Sequence, residues 1–227
     1  MPKTPRITKY YLESLLPDDI DRSLGVSGKN PPIQIKERNG WIEVEADDMA
    51  AARHSQALNF IMQDNLERAK EILLEIRERS PQFFAARFNL GRIYLYYKDH
   101  QNALNEFTVA RNIIPQYWKN YYYLGKAYEL QGEYNAAIYH YHIAYLKNPY
   151  DLGAMVALGD LMIAVNRYTD ARHIYKFCLA NDSGYNDALI GMGKIAYHKR
   201  NFYDATVWFR NVDLAKPYKK ELHYYDA

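Results

Sequence analysis

The stretch Trp118–Asp151, WKNYYYLGKAYELQGEYNAAIYHYHIAYLKNPYD, decides how this chain is read. Its first half places Tyr121, Leu124, Gly125 and Tyr128 at the i, i+3, i+4, i+7 spacing of one helix face. Gln131-Gly132-Glu133 then interrupts the pattern with the polar and glycine residues of a tight helix–helix turn. The second half carries Ala137 and, one helical turn on, the bulky Tyr141. Pro149 closes it, because a proline disfavours helix at the residue before it. The stretch is one helix–turn–helix unit.

The same unit recurs with a period of 34 residues, starting at Ala50, Phe84, Trp118, Leu152 and Asn186, with no insertion or deletion. The eighth position reads Ala57, Gly91, Gly125, Gly159, Gly193, and the twentieth reads Ala69, Ala103, Ala137, Ala171, Ala205. Small residues at both places mark where two helices come close. The twenty-fourth position reads Leu73, Phe107, Tyr141, Tyr175, Phe209, a knob that fills the space beside the contact. Pro81, Pro115, Pro149 and Pro217 end four units, with Ser183 in the fourth. Arg53 and Gln56 replace apolar residues in the first unit, whose leading helix is therefore expected to pack less deeply, as an outer repeat does.

An aromatic residue, Leu-Gly, Tyr, Ala, Phe, Ala and Pro at these offsets resemble the pattern of the tetratricopeptide repeat family over Ala50 to about Lys219. The resemblance implies an all-α fold, a right-handed superhelical solenoid of five helix–turn–helix repeats (50–83, 84–117, 118–151, 152–185, 186–219), and a non-enzymatic scaffold that binds protein in a concave groove. The domain organisation expected is 1–47 as an N-terminal extension, 48–219 as the repeats, and 220–227 as the start of a sixth repeat or a capping helix.

Composition sets outer bounds. Twenty-nine basic against 27 acidic residues leave a net charge of +2, too small for a general field toward nucleic acid or anionic membrane. No stretch nears the roughly 18 uninterrupted apolar residues of a membrane span, and the N-terminus has no signal-peptide core. A lone Cys178 fits a reducing compartment, so a cytoplasmic location is expected. The 23 tyrosines, with none between Tyr11 and Tyr94, point toward an interaction surface.

In the extension, Ile7 to Leu16 has the spacing of a short amphipathic helix, and Ser23 to Pro32 reads as a linker. Alternating runs on either side of Asn39-Gly40 predict a β-hairpin over 33–45, expected to dock on the first repeat. At the other end Lys220 to Ala227 continues in register with Leu222 and Tyr225 on one face, so the chain reads as a fragment of a longer protein.

No catalytic constellation, metal or cofactor is expected. Gly25-Val26-Ser27-Gly28-Lys29-Asn30 has two residues between its glycines where a phosphate loop needs four, and Gly191-Met192-Gly193-Lys194 falls inside a helix. His140 and His142 point to different helix faces, and Cys178 takes a small-residue position as a buried thiol.

Positions two, five, nine and twelve of each leading helix form a stripe roughly 130° from the core stripe, and in the resembled family that stripe lines the groove. The candidate partner-binding residues follow: Phe88, Arg92, Lys119, Tyr122 and Lys126 on it, Asn89, Tyr96 and Tyr123 beside it, then Asp160, Lys194 and Tyr197 toward the far end. The expected ligand is an acidic peptide with apolar anchors, or a partner helix, within a larger assembly. Some family members clamp a chaperone's C-terminal carboxylate; of the matching positions His54, Leu58, Asn89, Lys119 and Tyr123, only Asn89 and Lys119 agree. Two other readings stay open at this point, a helical-repeat RNA-binding module and the non-catalytic arm of a larger enzyme.

Overall fold

In a computed structural model the described residues are 7–11, 34–38, 41–45 and 48–212. They fall into two compact units, one within residues 1–130 and one within 131–227. Among the described residues there are ten helices: α1 Asp48–Met62, α2 Leu66–Arg79, α3 Phe84–Tyr96, α4 His100–Ile113, α5 Trp118–Leu130, α6 Tyr134–Lys147, α7 Gly153–Ala164, α8 Tyr168–Asn181, α9 Asn186–His198 and α10 Phe202–Arg210. In the first unit α1 packs on α2, α2 on α3, α3 on α4 and α4 on α5; in the second the same succession runs from α6 to α10. Leading helices one unit apart also meet, α3 with α5 and α7 with α9.

Each connection inside a helix pair turns on one left-handed residue: Asp64, Lys98, Gly132, Asn166 and Arg200, with φ of 60°, 58°, 81°, 61° and 60°. All five occupy the fifteenth position of their unit. The next residue starts the trailing helix, and where it is Asn65, Asp99 or Asn201 its side chain accepts from the backbone N–H three residues on. Glu133 and Arg167 make no such cap bond.

The small residues sit where the period places them. A Cβ built on Gly91 would lie 2.7 Å from the Phe107 ring, one on Gly159 2.7 Å from Tyr175, and one on Gly193 2.3 Å from Phe209. Ala57, Ala69, Ala103, Ala137 and Ala171 are fully buried. Gly191 and Gly193 lie within α9, as the helical register requires. Arg53 is half-buried and Gln56 exposed, Arg53 bonding Glu75 at 2.6 Å, so α1 presents a polar face as expected of an outer helix.

The N-terminal segment departs from the reading of Ile7 to Leu16 as a helix. Ile7–Tyr11 is a strand, β1; β2 is Gln34–Arg38 and β3 is Trp41–Glu45, in one antiparallel sheet of order β1-β3-β2. Ile35 lies opposite Val44, and Tyr10 opposite Ile42. The physical reason is that Ile-Thr-Lys-Tyr-Tyr is rich in β-branched and aromatic residues, and the edge of β3 offers it a ladder of backbone partners, whereas an isolated helix of some ten residues is marginal. The sheet also has a different seat from the expected first repeat, since β2 approaches α3 and α4, the helices of the second repeat. α1 carries the Arg53 bonds to Gln56 and Glu75, a surface a strand gains little by covering. Linker 23–32 and the sixth-helix segment 220–227 lie outside the described residues.

Candidate partner-binding site

In the first unit the candidate residues come from α3 and α5, the two leading helices that touch. Phe88 belongs to the core, not to a groove: it is 1% exposed, with its ring 5.7 Å from Phe107, 5.4 Å from Tyr117 and 5.3 Å from Tyr123. His54 and Val156, at the same fifth position, are buried as well. The stripe argument assumes a helix packed along one side, whereas a leading helix in this array has neighbours in its own unit and in those flanking it. Its buried arc is correspondingly wider. Tyr123, stacked on Phe107 at 5.3 Å and 11°, is also a core residue.

What remains on the surface is a half-buried basic and aromatic strip of Arg92, Lys119, Tyr122 and Lys126, with the exposed Tyr96 at its α3 end. Arg92 is held in place. Its Nη1 donates to Asn89 Oδ1 at 3.2 Å, and its guanidinium lies 6.0 Å from the Tyr123 ring centre. Because Asn89 Oδ1 accepts from Arg92, its Nδ2 faces His54 Nε2, 2.9 Å away, and donates to it. Nε2 therefore carries a lone pair, and the ring is neutral with its proton on Nδ1. Burial enforces this, pulling the His54 pKa down to about 3 against a weaker opposing contact with the Ala85 backbone. Lys119 Nζ lies 5.5 Å from the Trp118 ring, and Tyr122 sets its edge against Trp118 at 6.3 Å and Tyr123 at 5.2 Å. Tyr96 packs edge-on to Tyr97 at 5.3 Å.

The other three candidates belong to the second unit. Lys194 Nζ donates to Asp160 Oδ1 at 3.2 Å, joining the ninth positions of consecutive units, and the buried Tyr175 hydroxyl donates to the same oxygen at 2.9 Å. Burial first, and the Asp160 charge next, push the Tyr175 phenol well above its usual pKa, so it stays a donor. This cluster ties helices to one another. Tyr197 is 60% exposed, its ring 5.5 Å from Phe202.

The sequence reading missed Glu106. It is buried between two arginines, Oε1 accepting from Arg77 and Oε2 from Arg87, each at 2.9 Å. Its signal was available, a carboxylate at the twenty-third position where the first unit has Ile72. The Glu106 hydrogen bond is the main cause that raises the Arg77 pKa further. Cys178 is buried, and burial lifts its thiol to about 11, leaving it no nucleophile near neutral pH. A shallow open cleft between α1 and α2, lined by Arg53, Gln56, Asn59, Phe60, Gln63, Arg68 and Ile72, holds none of the candidate residues. Among the described residues no group of three His, Cys, Asp or Glu is placed to hold a metal ion, and no helix is long and apolar enough to cross a membrane.

Helix pairs repeated every 34 residues, joined by left-handed turns and locked by knobs on small residues, define an all-helical repeat fold like that of tetratricopeptide proteins. No family model matches the sequence, and none of the curated proteins does. Among solved structures the chain is similar in fold to MamA, at 18% identity over 68% of this chain and 91% of that one, with a TM-score of 0.60. It is similar to a tetratricopeptide repeat protein from Parabacteroides merdae, at 20% identity over 72% of this chain and 65% of that one, TM-score 0.63. PilW, described as a widely conserved type IV pilus biogenesis factor, aligns at 17% identity over 73% of this chain and 77% of that one, TM-score 0.64. At these identities the likeness speaks for the fold.

Proposed function

We propose that this protein is a non-catalytic interaction scaffold of the cytoplasm, its five repeats wound as a right-handed superhelix, which takes a peptide or a partner's helix along the α3–α5 strip. The observation that carries this reading is Arg92, fixed by Asn89 and the Tyr123 ring beside the half-buried Lys119, Tyr122 and Lys126. A charge held at a set position loses little freedom on binding, so its attraction for a carboxylate is not spent on ordering a side chain. Aromatic rings beside it supply apolar contact area at low entropy cost. The ligand is accordingly acidic with apolar anchors. The type IV pilus factor among the structural neighbours gives a setting in which such a scaffold would serve a larger assembly.

The test is affinity capture with the wild type and with an Arg92→Glu/Lys126→Glu variant. Captured protein falls at least about tenfold; because Arg92→Glu also breaks the Asn89 bond and the Tyr123 contact, at a cost of about 1–2 kcal/mol, capture is read well below the variant's own melting temperature. Undiminished capture would remove the strip from the account. Capture dominated by RNA, with steep loss as salt rises, would replace a protein ligand by a nucleic acid.

A further inference from the structure

Each trailing helix has an outward seam at the twenty-second, twenty-fifth, twenty-sixth and twenty-ninth positions of its repeat, spaced i, i+3, i+4, i+7 along one face. In α2 these are Glu71, Leu74, Glu75 and Glu78, and in α4 they are Asn105, Thr108, Val109 and Asn112, none of them buried. Glutamate and asparagine at these places mean that the fold itself asks nothing apolar of the seam. In α6 the same positions read Tyr139, His142, Ile143 and Leu146, with Tyr139 61% and Leu146 56% exposed. Just past the helix end Tyr150 is 97% exposed. The surface continues onto α8, where the exposed Phe177 meets the Tyr145 ring edge-on at 5.6 Å. All of these residues belong to the compact unit within 131–227.

The chemistry of the seam points to its occupant. It carries no acidic or strongly basic side chain, so it selects no foreign partner by charge and meets its own copy without like-charge conflict. Its spacing also reads the same from either end. Two α6 helices crossing antiparallel, about a twofold axis between His142 and Ile143, set Tyr139 of each copy against Leu146 of the other, a ring against an aliphatic side chain. The area agrees. An aromatic side chain offers about 150–250 Å², so at these exposures the seam with Tyr150 and Phe177 presents roughly 500 Å² on each copy. Two copies then bury on the order of 1,000 Å², the size of a weak, reversible dimer interface.

We propose that the outward seam of α6 is a self-association surface on which a second copy of this chain docks, antiparallel, α6 on α6. The contact uses none of the residues of the α3–α5 strip, so each copy keeps its own.

The experiment is sedimentation velocity on the full chain over about a hundredfold range of concentration, beside Tyr139→Glu/Leu146→Glu. That variant writes the α2 residues Glu71 and Glu78 into α6, at positions where the fold already accepts them. A dimer that grows with concentration is expected, with its dissociation constant raised at least about tenfold in the variant, because antiparallel pairing sets the new carboxylates against one another. A second arm places a cysteine beside the twofold axis, His142→Cys, or at the exposed seam of α4, Asn105→Cys, and adds a short bis-maleimide; the native Cys178 is buried. Crosslinked dimer is expected from His142→Cys alone. A chain that stays monomeric throughout would overturn the proposal. So would a dimer that ignores the two glutamates, or one crosslinked equally well through Asn105→Cys, because another face would then be the contact.

Discussion

At the scale of single residues, the fold depends on what is missing from Gly91 as much as on what fills Phe107. A methyl at Gly91 would come 2.7 Å from that ring, closer than real carbons approach. Gly91→Ala should cost about 1–3 kcal/mol, read as a lower urea midpoint at unchanged slope. The loss should shrink when Phe107→Leu is present, since the smaller knob leaves room. Glu106 tests a different term. Glu106→Gln leaves the part-exposed Arg77 and Arg87 around a neutral amide, and losing charge-assisted hydrogen bonds of this kind costs about 1.5–3 kcal/mol. His54 sets a pH dependence with a definite sign. The folded ring stays neutral down to about pH 3 while the unfolded ring takes a proton below about 6.5, so in that window the unfolded state binds more protons. Stability is full above pH 6.5 and falls by up to about 1.4 kcal/mol per pH unit on acidification toward 3. Denaturant midpoints at pH 7 and pH 5 measure the slope, and His54→Gln should flatten it.

At the scale of elements, the left-handed fifteenth position separates backbone strain from packing. No atom stands within 4 Å of a Cβ at Gly132, so Gly132→Ala is opposed only by its φ of 81° and should cost about 1 kcal/mol. Lys98, at φ 58°, is the mirror experiment, and Lys98→Gly should hold or raise the melting temperature. Much of this level was legible beforehand. The 34-residue period located the helix pairs, because small residues, knobs and prolines are each imposed by a local contact that repeats. Ile7–Tyr11 was not legible as a strand, because five residues with mixed spacing fit either form until β3 supplies an edge. The burial of Phe88 was hidden for a similar reason. Periodicity along one helix reports one face, and the second buried face belongs to the neighbours of α3. Asn89 and Tyr123 were read as surface candidates, and the structure gives them the task of fixing Arg92.

At the scale of the whole molecule, repetition allows a surface to vary while the contacts beneath it stay constant. The eighth, twentieth and twenty-fourth positions recur throughout, whereas the ninth reads Leu58, Arg92, Lys126, Asp160 and Lys194. In the second unit two of these, Asp160 and Lys194, neutralise each other. In the first, Arg92 and Lys126 share their sign, and it is there that the proposed acidic ligand is placed. The central claim is that a partner lies along α3 and α5. It is tested most directly by placing a photo-crosslinking residue at Tyr122 or, as a comparison, at the exposed Tyr139 of α6. The account predicts a partner adduct from Tyr122 that disappears in Arg92→Glu/Lys126→Glu, and none from Tyr139. A foreign-partner adduct from Tyr139 alone, or one from Tyr122 that survives both charge reversals, would contradict it.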